Sequence, residues 1–214
     1  MQTLLTWRRR GAFFVFTLLA FAVAAYAFGY LFLPFRAGDP FAASFAFSGN
    51  DVPVHFFLAG LALLLAPIQL SARLRRAAPA LHRLMGWLYA LSVLCGGIAG
   101  FTLAQDAQGG LPSRLGFSVL AIAWVGTTAL GIRHAIGRDT ERHRRWMARS
   151  VALTWGAVTL RLMLGIGGVA GLPFMTVYVT ASWASWLINL AICEVILRRR
   201  AVGATHWASA RSGA

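Results

Sequence analysis

The chain has 214 residues, 58% of them hydrophobic and 12% charged, with a formal net charge of +14 and no lysine. Unbroken apolar runs of ~20 residues exceed what a water-soluble core needs and read as membrane-spanning helices. The charge does not point to nucleic acid, because the arginines fall between apolar runs, where membrane orientation and anionic headgroups account for them.

Met1–Arg10 is short and basic, ending in Arg8-Arg9-Arg10. Gly11–Leu33 is the first apolar run. It is too long for a signal-peptide core of ~7–15 residues and reads as an uncleaved anchor. Pro34–Asp51 carries the turn signals Gly38-Asp39-Pro40 and Ser48-Gly49-Asn50, and its phenylalanines suit a loop on the membrane surface. Val52–Leu70 is the second span, with His55 near its start, Gln69 at its end and Pro67 expected to kink it. Ser71–Ala80 is a basic loop. Leu81–Ala104, opening on His82-Arg83, is the third span, and Gly96 and Gly100 give it a face that another helix can approach closely.

Gln105–Arg114 is a short turn with Gly109-Gly110 and Pro112. Leu115–Ile132 is the fourth span, with Trp124, Thr127 and Thr128 inside it. Arg133–Arg145 is expected to be the most charged loop. Trp146–Gly165 is the fifth span and Gly167–Pro173 a Gly-rich turn. Phe174–Leu197, holding Trp183, Trp186, Asn189 and Glu194, is the sixth span, stopped by Arg198-Arg199-Arg200. The tail over 201–214 is expected to be disordered. The fold class is therefore all-α: a six-span membrane domain over 11–200, with spans two to five as a central up-down bundle. Spans two–three and four–five repeat one hairpin plan, an arginine-rich loop followed by His-Arg.

Six spans put both termini on one side. All of the 20 basic residues except Arg36, Arg114 and Arg161 fall on that side, and bias of this kind sets orientation, so both termini are expected in the cytoplasm. Abundant Ala, Gly and Arg without Lys fits a GC-rich bacterial source, hence a bacterial inner membrane.

Two polar groupings stand out. At the arginine-rich end the spans bring His82, His134, His143, Gln69 and Glu194 to similar depth. His82 and His143 open helices running the same way, diagonal across the bundle. Two such histidines suit the axial positions of one b-type haem, with Arg83 and Arg144 for its propionates and His134 as the substitute ligand. The alternatives at the same residues are water and anionic lipid at a helix start, a metal ion, or a quinone. His55 and His134 lie at opposite depths, so a second haem lacks its ligands. At the other end, Arg161 stands eighteen positions beyond His143, about 27 Å along a helix. A charge so placed calls for a partner, and Asp106 or Asp51 is expected to supply it within a cluster that includes His55 and Gln105.

The segment from His55 to Leu162 resembles the bacterial membrane proteins grouped as domain of unknown function 2306. The likeness rests on Pro67-Ile68-Gln69-Leu70, Leu81-His82-Arg83-Leu84-Met85-Gly86-Trp87, Gly109-Gly110, and His143 through Ser150 with Thr159-Leu160-Arg161. It implies the membrane architecture, with a family-like core over 52–165, and no reaction. The layout also resembles di-haem cytochromes of the b561 kind, at the level of fold alone.

Cys95 and Cys193 sit in apolar runs and read as small hydrophobes, not a disulfide. Trp124, Trp155, Trp183 and Trp186 read as packing or interface anchors. Walker, HExxH, GxSxG and paired-Cys motifs are missing, so any activity is at most that of a redox electron carrier. Two function classes remain: an electron-transfer protein with one haem, or a non-enzymatic membrane protein, transporter-like, lipid-binding or an assembly partner, using the same residues. The partners expected are anionic lipid, and a second copy or another membrane protein.

Overall fold

A computed structural model describes the backbone of residues 2–32 and 48–212 and the side chains of residues 10–32 and 48–199. The elements are α1 (Gln2–Phe32), α2 (Asp51–Leu70), α3 (Ala72–Ala77), α4 (Pro79–Gln105), α5 (Leu111–Ile136), α6 (Thr140–Thr154), α7 (Gly156–Val169) and α8 (Phe174–Ser212). With α6 and α7 counted as one, the described residues hold six helices long and apolar enough to cross a membrane. The loop expected over 34–51 lies outside the described residues, Arg36 included, except for its end. There Ser48-Gly49-Asn50 forms a turn, with Gly49 at φ +51°. Where the sequence predicts a disordered tail from residue 201, the backbone of α8 continues to Ser212, and the side chains beyond Arg199 lie outside the described residues.

Several connections are tighter than expected, for local reasons. The basic loop after α2 folds into the single turn-and-a-half of α3, because the Ser71 hydroxyl accepts from the Leu74 N–H (3.2 Å) and caps it. The charged loop after the fourth span shrinks to Gly137-Arg138-Asp139. Asp139 caps α6, taking the Arg142 N–H on its carboxylate at 3.0 Å, so helix restarts at Thr140. His134 thus ends one helix and His143 starts the next. At the far end of α7, Gly171 at φ +67° closes a Schellman turn, with Leu172 N–H on Gly167 C=O (2.9 Å) and Gly171 N–H on Gly168 C=O (3.1 Å). The fifth span is divided at Trp155, whose ring stacks on Phe16 of α1 with centroids 4.2 Å apart. Helix α2 runs through Pro67 without interruption.

Helices α2, α4, α5 and α6 form the central bundle, α2 packing on α4, α4 on α5, and α5 on α6. Helix α1 lies along α2 and touches α7, while α8 lies against α5, α6 and α7. The close α2–α4 contact comes from the small residues predicted for it. A Cβ on Gly96 would stand 3.0 Å from the Leu58 Cβ, and one on Gly100 would stand 2.7 Å from the His55 ring. Opposite, Leu84, Trp87, Leu91, Leu94, Ile98 and Phe101 of α4 are all exposed at helical spacing. That stripe would be untenable in water and is the face expected against lipid acyl chains.

Candidate functional site

Depth along the bundle separates three groups of polar side chains. The first is a dense hydrogen-bonded knot at mid-bundle. Tyr89 of α4, wholly buried, reaches diagonally across to α6, its hydroxyl 2.7 Å from both Ser150 Oγ and Thr154 Oγ1. Thr128 of α5 contacts Ser150 Oγ at 2.6 Å, and Trp124 Nε1 donates to Thr154 Oγ1 at 2.8 Å. The proton count fixes most directions. Thr154 and Thr128 spend their hydrogens on the Ser150 and Trp124 carbonyls, so Tyr89 donates to Thr154, and Ser150 donates to Tyr89 or to Thr128. Three of the four interhelical contacts carry a hydrogen at any moment, each worth about 0.6 kcal/mol by the average for membrane bundles. Deleting one member costs more than that, because its partners would remain buried without water.

The second group lies two turns nearer the arginine-rich end. His82 precedes Tyr89 by seven residues and His143 precedes Ser150 by seven, so both histidines share the stripe that meets at the knot. Met85 and Met147 pack against the core in the layer between knot and histidines. The Nδ1 of His143 donates to the Gly131 carbonyl at 2.8 Å, leaving its Nε2 as the ligand-capable atom. The His82 Nδ1 is buried without a hydrogen-bond partner, while Gln69 Nε2 reaches the His82 carbonyl at 3.3 Å.

Other members of the expected cluster are engaged elsewhere. His134 faces Asp139 (3.7 Å) in the connecting turn. Glu194 is held by Arg149 in a two-pronged ion pair, Nε to Oε1 and Nη2 to Oε2 (3.0 Å), with the guanidinium over the Trp146 ring. Arg83 and Arg144 are exposed at the rim. No group of three or more His, Cys, Asp or Glu that could hold a metal ion occurs among the described residues.

The third group surrounds a cavity of about 250 Å³ on the opposite side of the knot, whose members Trp124 and Thr154 form part of its wall. His55, Asp106 and Arg161 also line it. Asp51 does not line it, and Gln105 turns away to Ser118 of α5 (3.0 Å) and to its own helix. The His55 Nδ1 contacts the Gly96 carbonyl at 2.8 Å. A carbonyl only accepts, so Nδ1 carries the proton and Nε2 is left as an acceptor.

Arg161 departs from expectation. It forms no ion pair with Asp106 or Asp51 among the described residues. Its guanidinium lies 5.2 Å from the Tyr26 ring centroid and donates one bond, from Nη1 to the Ala157 carbonyl (3.1 Å). Its Nε is buried with no partner. Asp106 accepts instead from the Ser48 hydroxyl at 2.8 Å. The sequence did not disclose Tyr26, which comes from α1, nor the Tyr89–Ser150–Thr154 contacts. A lone tyrosine in an apolar span, with Ser and Thr four apart in another, was the available signal.

Apolar faces turned outward, polar knots turned inward and six alternating spans define a polytopic helical membrane protein. Residues 52–197 match the family described as predicted membrane protein (DUF2306), and the chain belongs to that family. The match takes in α2 to most of α8 and leaves out α1. No curated protein and no solved structure matches the chain.

Proposed function

We propose that the chain is a lipophile-binding protein of the bacterial inner membrane, whose binding site is the cavity lined chiefly by α1, α2, α4, α5 and α7. One observation carries this reading: a guanidinium inside a membrane span, with an unpartnered buried N–H, on the wall of a preformed and mostly apolar cavity. A cation in a low-dielectric span is costly and marks functional sites. An apolar cavity with a few convergent polar groups is the usual form of a small-molecule site. The arginine-rich end faces the cytoplasm in this reading, because basic residues in short loops stay on that side. The cavity then belongs to the outer leaflet. The test is mass spectrometry of organic extracts from purified protein. Wild type should carry a lipophile at near-stoichiometric yield, and Leu164→Trp, which fills the cavity from α7, should lose it. Equal, background levels in both proteins contradict the reading.

A second reading rests on a separate observation, the His82–His143 stripe. His143 has its Nδ1 tied to a carbonyl, as a haem ligand requires, and His82 has a buried ring nitrogen with no partner. These two residues would hold one b-type haem, with Arg83 and Arg144 beside its propionates. The haem would supply one-electron transfer. Met85 and Met147 fill the layer above, so the ring would sit at the mouth of the bundle. A reduced-minus-oxidised spectrum of protein made with ample haem decides it. The reading requires a Soret band lost in His82→Ala and His143→Ala, and a colourless wild type ends it.

A further inference from the structure

The chemistry of the cavity wall narrows the ligand class, and this step rests on the lipophile reading above. The polar wall pairs the Arg161 donor with the His55 acceptor, beside the Asp106 carboxylate. Arg161 Nε–H is buried and unpartnered, and its side chain is held in place by the Ala157 carbonyl and the Tyr26 ring. The His55 ring presents Nε2 as an acceptor, since Nδ1–H is committed to Gly96. Gly100 approaches that imidazole so closely that a Cβ there would stand 2.7 Å from the His55 Nδ1. A fatty acid carboxylate would meet the Arg161 cation well, but it would also face the His55 lone pair and the Asp106 carboxylate on the same wall. The ligand head that fits is neutral and carries both an acceptor oxygen and a hydroxyl donor.

The apolar wall is rich in aromatic rings. Tyr26, Tyr30, Phe56, Phe117, Trp124 and Tyr178 all line the cavity. Aromatic faces favour stacked or edge contacts with another ring. At about 250 Å³ the cavity is smaller than the ~300–1,000 Å³ of sites that enclose a drug-sized molecule. It has room for a single-ring head and none for a long chain. A way out for a chain exists on one side, since Tyr26 lines the cavity and is also 54% exposed on the lipid-facing side of α1.

We infer that the cavity takes the ring head of an isoprenoid quinol, with a ring oxygen on the Arg161 guanidinium, a ring hydroxyl on His55 Nε2, and the tail leaving past Tyr26 into the bilayer. Binding alone is assigned, and electron transfer would need a partner.

Full-length protein in detergent is titrated with decylubiquinol, following tryptophan fluorescence, with oleate as competitor. Saturable quenching is expected, with oleate a weak competitor. The bis-methyl ether of decylubiquinol, which has no hydroxyl to donate, should bind at least about tenfold more weakly, the loss for one hydrogen bond of about 1.4 kcal/mol. This comparison uses wild type only. His55→Phe and Arg161→Gln should each weaken decylubiquinol by a similar factor. Equal binding of the ether, or displacement by equimolar oleate, overturns the quinol assignment. If the quinol fails while extracts still contain a lipophile that Leu164→Trp expels, the ring assignment is wrong and the cavity reading stands. If the extracts are also empty, both are wrong.

Discussion

The middle of the bundle and its cavity end solve the same problem in opposite ways. Both place polar side chains where water does not reach. At mid-bundle, Tyr89, Ser150, Thr154, Thr128 and Trp124 hydrogen-bond one another across three helices. One step further along, His55 and Arg161 are half-satisfied beside an empty volume. A satisfied network holds helices in register, and its loss is a stability effect. Half-satisfied groups around a cavity cost stability, and they make sense as places kept for a ligand. Polarity alone does not mark a functional site in this protein; unmatched polarity next to free volume does.

The largest expected effect is on the knot. Tyr89→Ala opens a cavity where three helices meet and should cost about 3–5 kcal/mol, read as a large fall in the detergent melting temperature. Tyr89→Phe removes only the hydroxyl and should cost about 1 kcal/mol. If Tyr89→Phe melts as low as Tyr89→Ala, packing is not what Tyr89 supplies.

Arg161→Met should move the two properties apart. It replaces a buried cation that has no ion-pair partner with an apolar side chain of similar length. Thermal stability should stay within about 1 kcal/mol of wild type or rise, while the co-purified lipophile is lost. A collapse in yield or melting temperature would place Arg161 with the structural groups and blur the contrast between the two regions.

Glu194→Gln should have the smallest effect. Its ion pair with Arg149 sits near the arginine-rich rim with both side chains partly exposed, so a loss of about 0.5–1 kcal/mol is expected. The effect should shrink in high salt and leave the cavity ligand bound. A change in lipophile content would mean that the two ends are coupled through α8.

The sequence made the architecture legible because apolar run length and arginine placement are local properties. Gly96 and Gly100 were legible as a close-packing face from their spacing. Arg161 and His55 stood out as charged or ionisable residues in apolar runs. Their surroundings were not legible, because these depend on which helices touch. The expected Arg161 partner was an acid at similar depth, yet Asp106 is held by Ser48 and the guanidinium lies over Tyr26 of α1. The charged loop before His143 was drawn too long because one Asp139 cap outweighs the polar composition around it. Glu194 was grouped with the histidines by depth, whereas helix rotation turns it to Arg149.

The most direct test of the cavity as the ligand site is photolabelling in native membranes with a diazirine-bearing decylubiquinol, followed by peptide mapping. Labels concentrated on Tyr26 of α1 and on Leu160 and Leu164 of α7, and absent in Leu164→Trp, are the result this account predicts. Labels spread evenly over lipid-facing positions such as Leu91 and Ile98, or gathered at His82 and His143, would contradict it.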